Sequence, residues 1–208
     1  MMYRPKPFVW DDVAAIQRFL RFRSFATVAA VMDGSVSLAY APVVVDDGEP
    51  FGSVRFHLAA NNPLADIADS TDVLIAFSGP DAYVSPDWYV SEGFVPTWNY
   101  VAVEGRGKTR RLSDDELRIL LADLSAEQER KLQPKAPWTI DKVPEAKVEA
   151  LVRAIRGFSV KLESLEGKLK LSQDKKAEDR QGVIAGLEAR GDPFSRAVAI
   201  AIQAHPGK

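Results

Sequence analysis

Two Asp-Gly dipeptides within a run of β-favouring segments constrain the fold of this chain more than any other feature. Asp33-Gly34 and Asp47-Gly48 separate valine-rich stretches in the first third of the sequence. Aspartate and glycine accept the positive φ angles of tight hairpin turns, and the residues around them favour extended backbone. The pattern therefore predicts an antiparallel meander of three or four strands.

Further strand patterns occur at residues 73–77, 97–112 and 157–172. At the start of the segment 97–112, polar and aromatic residues alternate. Because successive side chains of a strand point to opposite faces, Thr97 and Asn99 are predicted on one face, with Trp98 and Tyr100 on the other.

Helix signals surround the strands. Asp11 is a candidate cap for a first helix, and Ser113 with Glu116 forms a capping box before a second. Pro144 precedes a third helix, whose apolar spacing extends to Ile155. Two more helices close the chain. Strands with inserted and appended helices predict an α+β fold, an antiparallel barrel with helices packed outside.

Composition excludes several classes of protein. The 208 residues are 46% hydrophobic, which favours a single domain over residues 1–208 with a helical C-terminal segment. Cysteine is absent, so disulfides, thiolate metal sites and cysteine nucleophiles are excluded. A net charge of −2 lacks the basic footprint of nucleic-acid binding. With no signal core and no run of roughly 20 apolar residues, we expect a cytoplasmic protein without membrane contact.

Familiar catalytic motifs are missing. The chain has no P-loop, no dinucleotide-binding glycine motif, no zinc-protease motif and no nucleophile elbow. His57 and His205 are its two histidines, which excludes a histidine-rich metal site, and we predict no metal. A serine–histidine pair around His57 has no supporting serine context. The catalytic residues stay unassigned.

An aromatic segment, "VSPDWYVSEGFVPTWNY" at residues 84–100, stands out from an otherwise aliphatic and charged chain. Aromatic rings most often fill cores, and these could seal one end of a barrel. The prolines in the segment restrict the backbone, however, and polar side chains lie beside the rings. Rings held on a stiff loop also suit a planar ligand or a subunit interface, so both interpretations stay open.

Two further segments have a functional and a structural interpretation. In "FHLAANNP", His57 and Asn62 precede a helix start that could bind an anion, or Asn62 could simply cap that helix. In "EGKLKLSQ", Lys168 and Lys170 share one strand face and could bind an anion or mark a solvated face. The last two helices form a helix-turn-helix pattern, but the apolar final helix favours packing over base recognition.

Several segments together resemble the PaiB-like family of FMN-binding negative transcriptional regulators. The motifs are "FSGPDAYVSPDWY", "VPTWNY" and "GKLKLSQDK", and the likeness extends from "MYRPKPF" to "GVIAGL". The resemblance implies a six-stranded antiparallel Greek-key split β-barrel, which forms a homodimer and holds FMN in grooves between the subunits.

The resemblance also implies roles for individual side chains. Those expected to bind the polar ring edge, the ribityl chain or the phosphate are His57, Asn62, Thr97, Asn99, Lys170, Ser172 and Gln173. Those expected at the interface or stacked on the flavin ring are Trp88, Tyr89, Trp98 and Tyr100.

Two positions depart from the family pattern. Ala60 stands where the histidine motif of the family has an arginine, and Asp174 follows "KLSQ" where a neutral amide is usual. A lost cation and an added anion both disfavour a phosphate. The departures therefore predict FMN binding that is weak, altered or absent.

Three functions follow from these observations. The first is a flavin-binding regulator of transcription, for which the net charge and the last helix disfavour direct DNA binding. The second is a flavin-dependent oxidoreductase, in which the cofactor carries the chemistry. The third is a split barrel that binds haem, another ligand or none in place of FMN.

Overall fold

The computed structural model describes residues 1–205. The strands are β1 Val9–Trp10, β2 Phe25–Met32, β3 Ser35–Asp46, β4 Ser53–Ala59, β5 Asp72–Val84, β6 Thr97–Arg111 and β7 Ile155–Lys170. The helices are α1 Val13–Arg23, α2 Asp114–Arg130, α3 Glu145–Arg153, α4 Ala177–Arg190 and α5 Pro193–Ala204. None of the helices in the described part of the chain has the length and apolarity to cross a membrane.

The long strands form an antiparallel sheet with Greek-key order. β2, β3 and β4 pair as the predicted meander, and β5 returns to pair with β2. The full order is β1-β7-β4-β3-β2-β5-β6, and β6 also pairs with β7. This last pairing closes the sheet, which confirms the predicted α+β split barrel.

Within residues 1–205 the sheet has seven strands, one more than predicted. The additional strand is β1, in which Val9 and Trp10 pair with Lys168 and Gly167. A two-residue ladder is too short to produce an alternating pattern, so nothing in the local sequence indicated it.

The two Asp-Gly dipeptides behave differently. Asp33 and Gly34, at φ 50° and 77°, form the predicted two-residue turn between β2 and β3. The prediction of a tight turn at Asp47-Gly48 was wrong, because β3 and β4 are joined by a six-residue loop, 47–52. The positive φ falls on Gly52 (79°), where a Cβ would lie 2.2 Å from the Asp46 carbonyl oxygen. Close backbone approach, rather than a hairpin turn, requires that glycine.

The helix signals were largely correct. Ser113 and Glu116 form the predicted capping box of α2. Leu117 and Leu120 lie on the buried side of the same helix. Ile155, however, was wrongly assigned to α3. It is the first residue of β7 and pairs with Ala59, since the apolar spacing of a helix and the start of an apolar strand overlap there.

The chain divides into two compact units. The first contains residues 1–12, 78–103 and the described residues from 166 onward, and so includes α4 and α5. The second contains residues 13–77 and 104–165, with α1, α2, α3 and most of the strand pairs. Residues 206–208 lie outside the described residues, and a single domain over 1–208 stays a prediction.

One outward face of the second unit is apolar. The exposed side chains of the β2–β3 hairpin on this face include Phe25, Val31, Val36, Leu38 and Tyr40, each more than half exposed. Cross-strand pairs bring them side by side, for example Val31 opposite Val36. We call this surface the hairpin face. Residues 27 and 29 pair with 76 and 74 of β5, where small and apolar side chains continue it.

Candidate functional site

Lys170 and Thr97 lie at the ends of β7 and β6 in the first unit. The Lys170 Nζ atom donates a hydrogen bond of 2.6 Å to the Thr97 Oγ1 atom. Among residues 1–205, no carboxylate lies within 4.0 Å of that ammonium group, so its charge is not neutralised by an ion pair. An ammonium group beside a hydroxyl can donate to a phosphate or to sugar hydroxyls.

Asn99 and Ser172 are buried and bind each other. The Asn99 Nδ2 atom donates to the Ser172 Oγ atom at 2.9 Å, and only 1% and 4% of the two residues are exposed. Asn99 thus lies on the buried face of β6, opposite the half-exposed Trp98, as the alternation predicted. The pair links the start of β6 to the segment that follows β7.

The Gln173 side chain hydrogen-bonds to backbone groups of residues just before it. Its Oε1 atom accepts from the Leu171 N–H at 2.7 Å, and its Nε2 atom donates to the Leu169 carbonyl at 2.8 Å. Ser172 adopts φ 59°, so the chain turns sharply at the end of β7. Both ends of the Gln173 amide are engaged in this turn, and a ligand role for it stays a prediction.

Lys168 is buried, which corrects the solvated-face interpretation for this residue. Its Nζ atom donates to the Tyr3 carbonyl at 2.9 Å and lies 5.1 Å from the ring centroids of both Tyr3 and Tyr100. Carbonyl and ring faces replace the water that an ammonium group loses on burial. The N-terminal segment supplies half of this cage, and the sequence of β7 alone could not reveal it.

The aromatic segment is divided between packing and exposure. Trp88 packs against α4, where a Cβ on Gly186 would lie 2.3 Å from its indole ring. Tyr89 contacts Phe94 with ring centroids 4.5 Å apart. Trp98 is 52% exposed and meets Tyr83 edge-on at 6.3 Å. Packing accounts for Trp88 and Tyr89, and Trp98 offers the exposed aromatic surface of the segment. A role of the segment at a ligand or a subunit interface stays a prediction.

Asp179 anchors the loop that follows Trp88, and sequence reasoning missed it. One carboxylate oxygen of Asp179 accepts from the backbone N–H groups of Val90 and Ser91 at 2.9 and 2.8 Å. These hydrogen bonds lower the pKa of the Asp179 carboxyl, which favours the charged, accepting form. Its sequence context is an ordinary first helical turn, where acidic residues are common, so no local signal separated it from Glu178.

Asn62 and His57 belong to the second unit. Asn62 accepts from the Leu64 N–H at 2.9 Å, which confirms that it caps the short 3₁₀ helix. The Ala65 N–H donates to the Asn62 carbonyl, and Pro63 has no N–H, so the start of this helix has few free donors. Phosphate binding by Asn62 and His57 stays a prediction.

His57 lies on the face of β4 that α2 covers. It pairs with Gly157, and a Cβ on Gly157 would contact Leu112 and Leu117. The Nδ1 atom of His57 is buried and has no hydrogen-bond partner among residues 1–205. Burial lowers the pKa of the imidazole, which therefore stays neutral at pH 7.

This burial predicts a pH dependence of stability. The unfolded state binds the His57 proton near pH 6.5, while the folded state resists it, so stability falls as the pH drops below about 6.5. We expect His57→Gln to reduce the loss of melting temperature between pH 7.5 and pH 5.0, as measured by calorimetry. A variant with the pH dependence of the wild type would contradict the prediction.

The two departures from the family pattern have different surroundings. Asp174 is exposed and forms an ion pair with Lys175 at 2.9 Å, so a neighbouring cation offsets its charge. Ala60 lies after β4 and donates its N–H to the Ala154 carbonyl. Weakened FMN binding through these positions stays a prediction.

The first-unit residues fit an FMN molecule chemically. Lys170 and Thr97 provide a cation and a hydroxyl suited to a phosphate or ribityl chain. Trp98, on the opposite face of β6, provides an exposed flat surface suited to a planar ring. The ring-stacking roles of Trp88, Tyr89, Trp98 and Tyr100 stay predictions, and so do the FMN contacts of Thr97, Asn99, Lys170 and Ser172.

Known proteins are similar to this chain in sequence or in fold. A family model described as "Putative FMN-binding domain" matches residues 2–164. Protease synthase and sporulation protein PAI 2 of Bacillus subtilis is 32% identical over 199 residues, 95% of each chain.

Solved structures are similar at lower identity, which shows the fold alone. An FAD and heme binding protein from Mycobacterium smegmatis is 16% identical with a TM-score of 0.55, over 86% of this chain and 78% of that one. A conserved hypothetical protein from Mycobacterium tuberculosis is 14% identical with a TM-score of 0.54, over 81% and 91%. This chain therefore belongs to the FMN-binding domain family of split-barrel proteins, which confirms the family and the flavin cofactor that its motifs implied.

Proposed function

We propose that this protein is a homodimer that binds FMN between its subunits and acts as a flavin-dependent regulator. The observation that carries the flavin part is the Lys170 ammonium group, which donates to Thr97 and has no carboxylate partner among residues 1–205. The regulatory part rests on the resemblance to PaiB-like proteins. When bound, FMN would supply hydride or electron transfer.

The hairpin face supports dimerisation. Its outward residues on β2 and β3 are apolar or uncharged, and Val36 is 72% exposed. Monomeric proteins seldom leave a contiguous patch of large apolar side chains exposed, because contact of such a surface with water is costly. A two-fold interface would bring the same face of each copy together and cover it.

Lys170 is expected to bind the anionic or sugar part of the flavin. We expect Lys170→Met to weaken FMN binding by about tenfold or more, since charge-assisted hydrogen bonds contribute roughly 1.5–3 kcal/mol. Fluorescence titration of flavin-free protein with FMN measures the dissociation constant.

The matched control is Lys161→Met, an exposed lysine earlier on the same strand. It should bind FMN as the wild type does. If Lys170→Met and Lys161→Met bind FMN equally, Lys170 is not a flavin ligand.

The last helices support regulation without direct contact to DNA bases. Ser195 would be at the start of the second helix of a helix-turn-helix, but it is 1% exposed and its Oγ atom donates to Asp192 at 2.6 Å. The buried side of α5, including Val198 and Ile202, is used for packing. Titration with operator DNA over a salt series tests this, and sequence-specific binding at low salt would contradict it.

An absorption spectrum of the purified protein separates the proposal from its alternatives. A flavin absorption band at about 450 nm is expected for the FMN-bound protein. A haem spectrum, or a colourless protein that ignores added FMN, would favour another ligand. The oxidoreductase hypothesis stays a prediction, to be tested by NADPH consumption.

A further inference from the structure

A cleft of about 440 Å³ opens in the second unit beside α2, α3 and the start of β7. Four arginines line it, and two acidic residues, Asp114 and Glu149, accompany them. The four arginines are Arg111, Arg118, Arg153 and Arg156. The lining therefore carries a positive excess, although the chain as a whole has a net charge of −2.

One of the four arginines is in an ion pair. Arg118 forms an ion pair with Glu149 at 2.6 Å. Across the described residues 1–205, the other three guanidinium groups have no carboxylate within 4.0 Å. This concentration of guanidinium groups without ion-pair partners can complement an anionic ligand.

Two of the guanidinium groups are held in position. The Nη1 atom of Arg156 donates to the carbonyls of Arg153 and Ile155, each at 3.0 Å. Arg111 donates to the Ala65 carbonyl at 3.2 Å, and its Cζ atom lies 5.5 Å from the Phe158 ring centroid. Side chains that are already ordered lose less conformational entropy when a ligand binds.

The remaining lining is apolar. Leu112, Leu117 and Val152 are buried and lie in the core cluster beneath α2 and α3. Ligand sites commonly combine an apolar lining with a few polar groups that orient the ligand, and their volumes run from roughly 300 to 1,000 Å³. The cleft thus suits a small molecule with an anionic end and an apolar or planar body.

From this geometry we infer that the arginine cleft binds a phosphate-bearing small molecule of nucleotide size. Guanidinium groups bind phosphate oxygens through paired hydrogen bonds. A ligand that carries a phosphate should therefore bind more tightly than the same molecule without it. The concave, partly apolar shape favours a small ligand over the extended backbone of a nucleic acid. The arginines of the cleft are different residues from Lys170, Thr97 and Trp98, although Gly157 of its lining pairs with His57.

Calorimetric titration of the full-length, FMN-loaded protein tests the inference with ADP as the probe and adenosine as the phosphate-free match. We expect ADP to bind at least tenfold more tightly than adenosine. The double variant Arg153→Gln, Arg156→Gln should lose at least tenfold in ADP affinity while it keeps its flavin absorbance. Arg23→Gln, an exposed arginine on α1, is the control and should bind ADP as the wild type does.

Several results would overturn the inference. Equal affinity for ADP and adenosine, or a double variant that binds ADP normally, would exclude a phosphate site here. Loss of FMN together with ADP in a folded double variant would assign the cleft to the flavin phosphate. Binding of duplex DNA that requires the same arginines and is not displaced by ADP would assign the cleft to a nucleic acid. Melting temperatures of the variants establish that they are folded.

Discussion

Leu38→Lys is expected to convert the proposed homodimer to a monomer. Leu38 is 54% exposed at the centre of the hairpin face, where it pairs with Ala29. A two-fold interface would bury the new lysine twice, without a partner, and an uncompensated buried charge costs roughly 3–5 kcal/mol. The dimer dissociation constant should therefore rise by at least about a hundredfold. Sedimentation velocity over a concentration series measures it.

The control for this substitution is Ile119→Lys, on the exposed side of α2. Ile119 is 57% exposed, so it matches Leu38 in exposure and in the size of the change. It should leave the dimer intact. The flavin content of the Leu38→Lys monomer is a second readout, since FMN held between subunits is lost on dissociation. A Leu38→Lys protein that stays dimeric would show that the hairpin face is not the interface.

Gly107→Ala is expected to destabilise the barrel at the pairing of β6 with β7. A Cβ at Gly107 would lie 2.0 Å from the Lys161 carbonyl oxygen. The obstacle is backbone of the neighbouring strand, so relief requires the two strands to separate. We expect a loss of about 2–4 kcal/mol in the free energy of unfolding, and roughly 4–16 °C in melting temperature.

Gly48→Ala provides the matched control. The nearest heavy atom to a Cβ at Gly48 is the Gly52 Cα atom at 3.6 Å, an ordinary contact. This substitution should be neutral or slightly stabilising, because alanine reduces the freedom of the unfolded chain. Thermal and urea unfolding of both variants test the prediction. Equal melting temperatures for Gly107→Ala and the wild type would mean that the strands separate there at little cost.

The aromatic segment shows how far composition could lead. Its rings and prolines indicated a stiff element, but composition could not divide packing from exposure. Trp88 packs against α4 because Gly186 leaves room for its indole, whereas Trp98 lies on the outer face of β6 and is half exposed. Each outcome depends on what packs against the ring, and that partner is distant in sequence.

The sequence by itself determined the features that depend on neighbouring residues. These include the turn at Asp33-Gly34, the capping box of α2 and the alternation of β6, because turns, caps and strand periodicity arise from contacts within a few residues. Only the tertiary structure decided which charged groups are buried, paired or free. Lys168 is enclosed by a tyrosine 165 positions earlier, and Asp179 holds a loop 89 positions earlier. The environment of a charged group depends on residues that are distant in sequence and that folding brings together. Local sequence patterns do not show which residues these are.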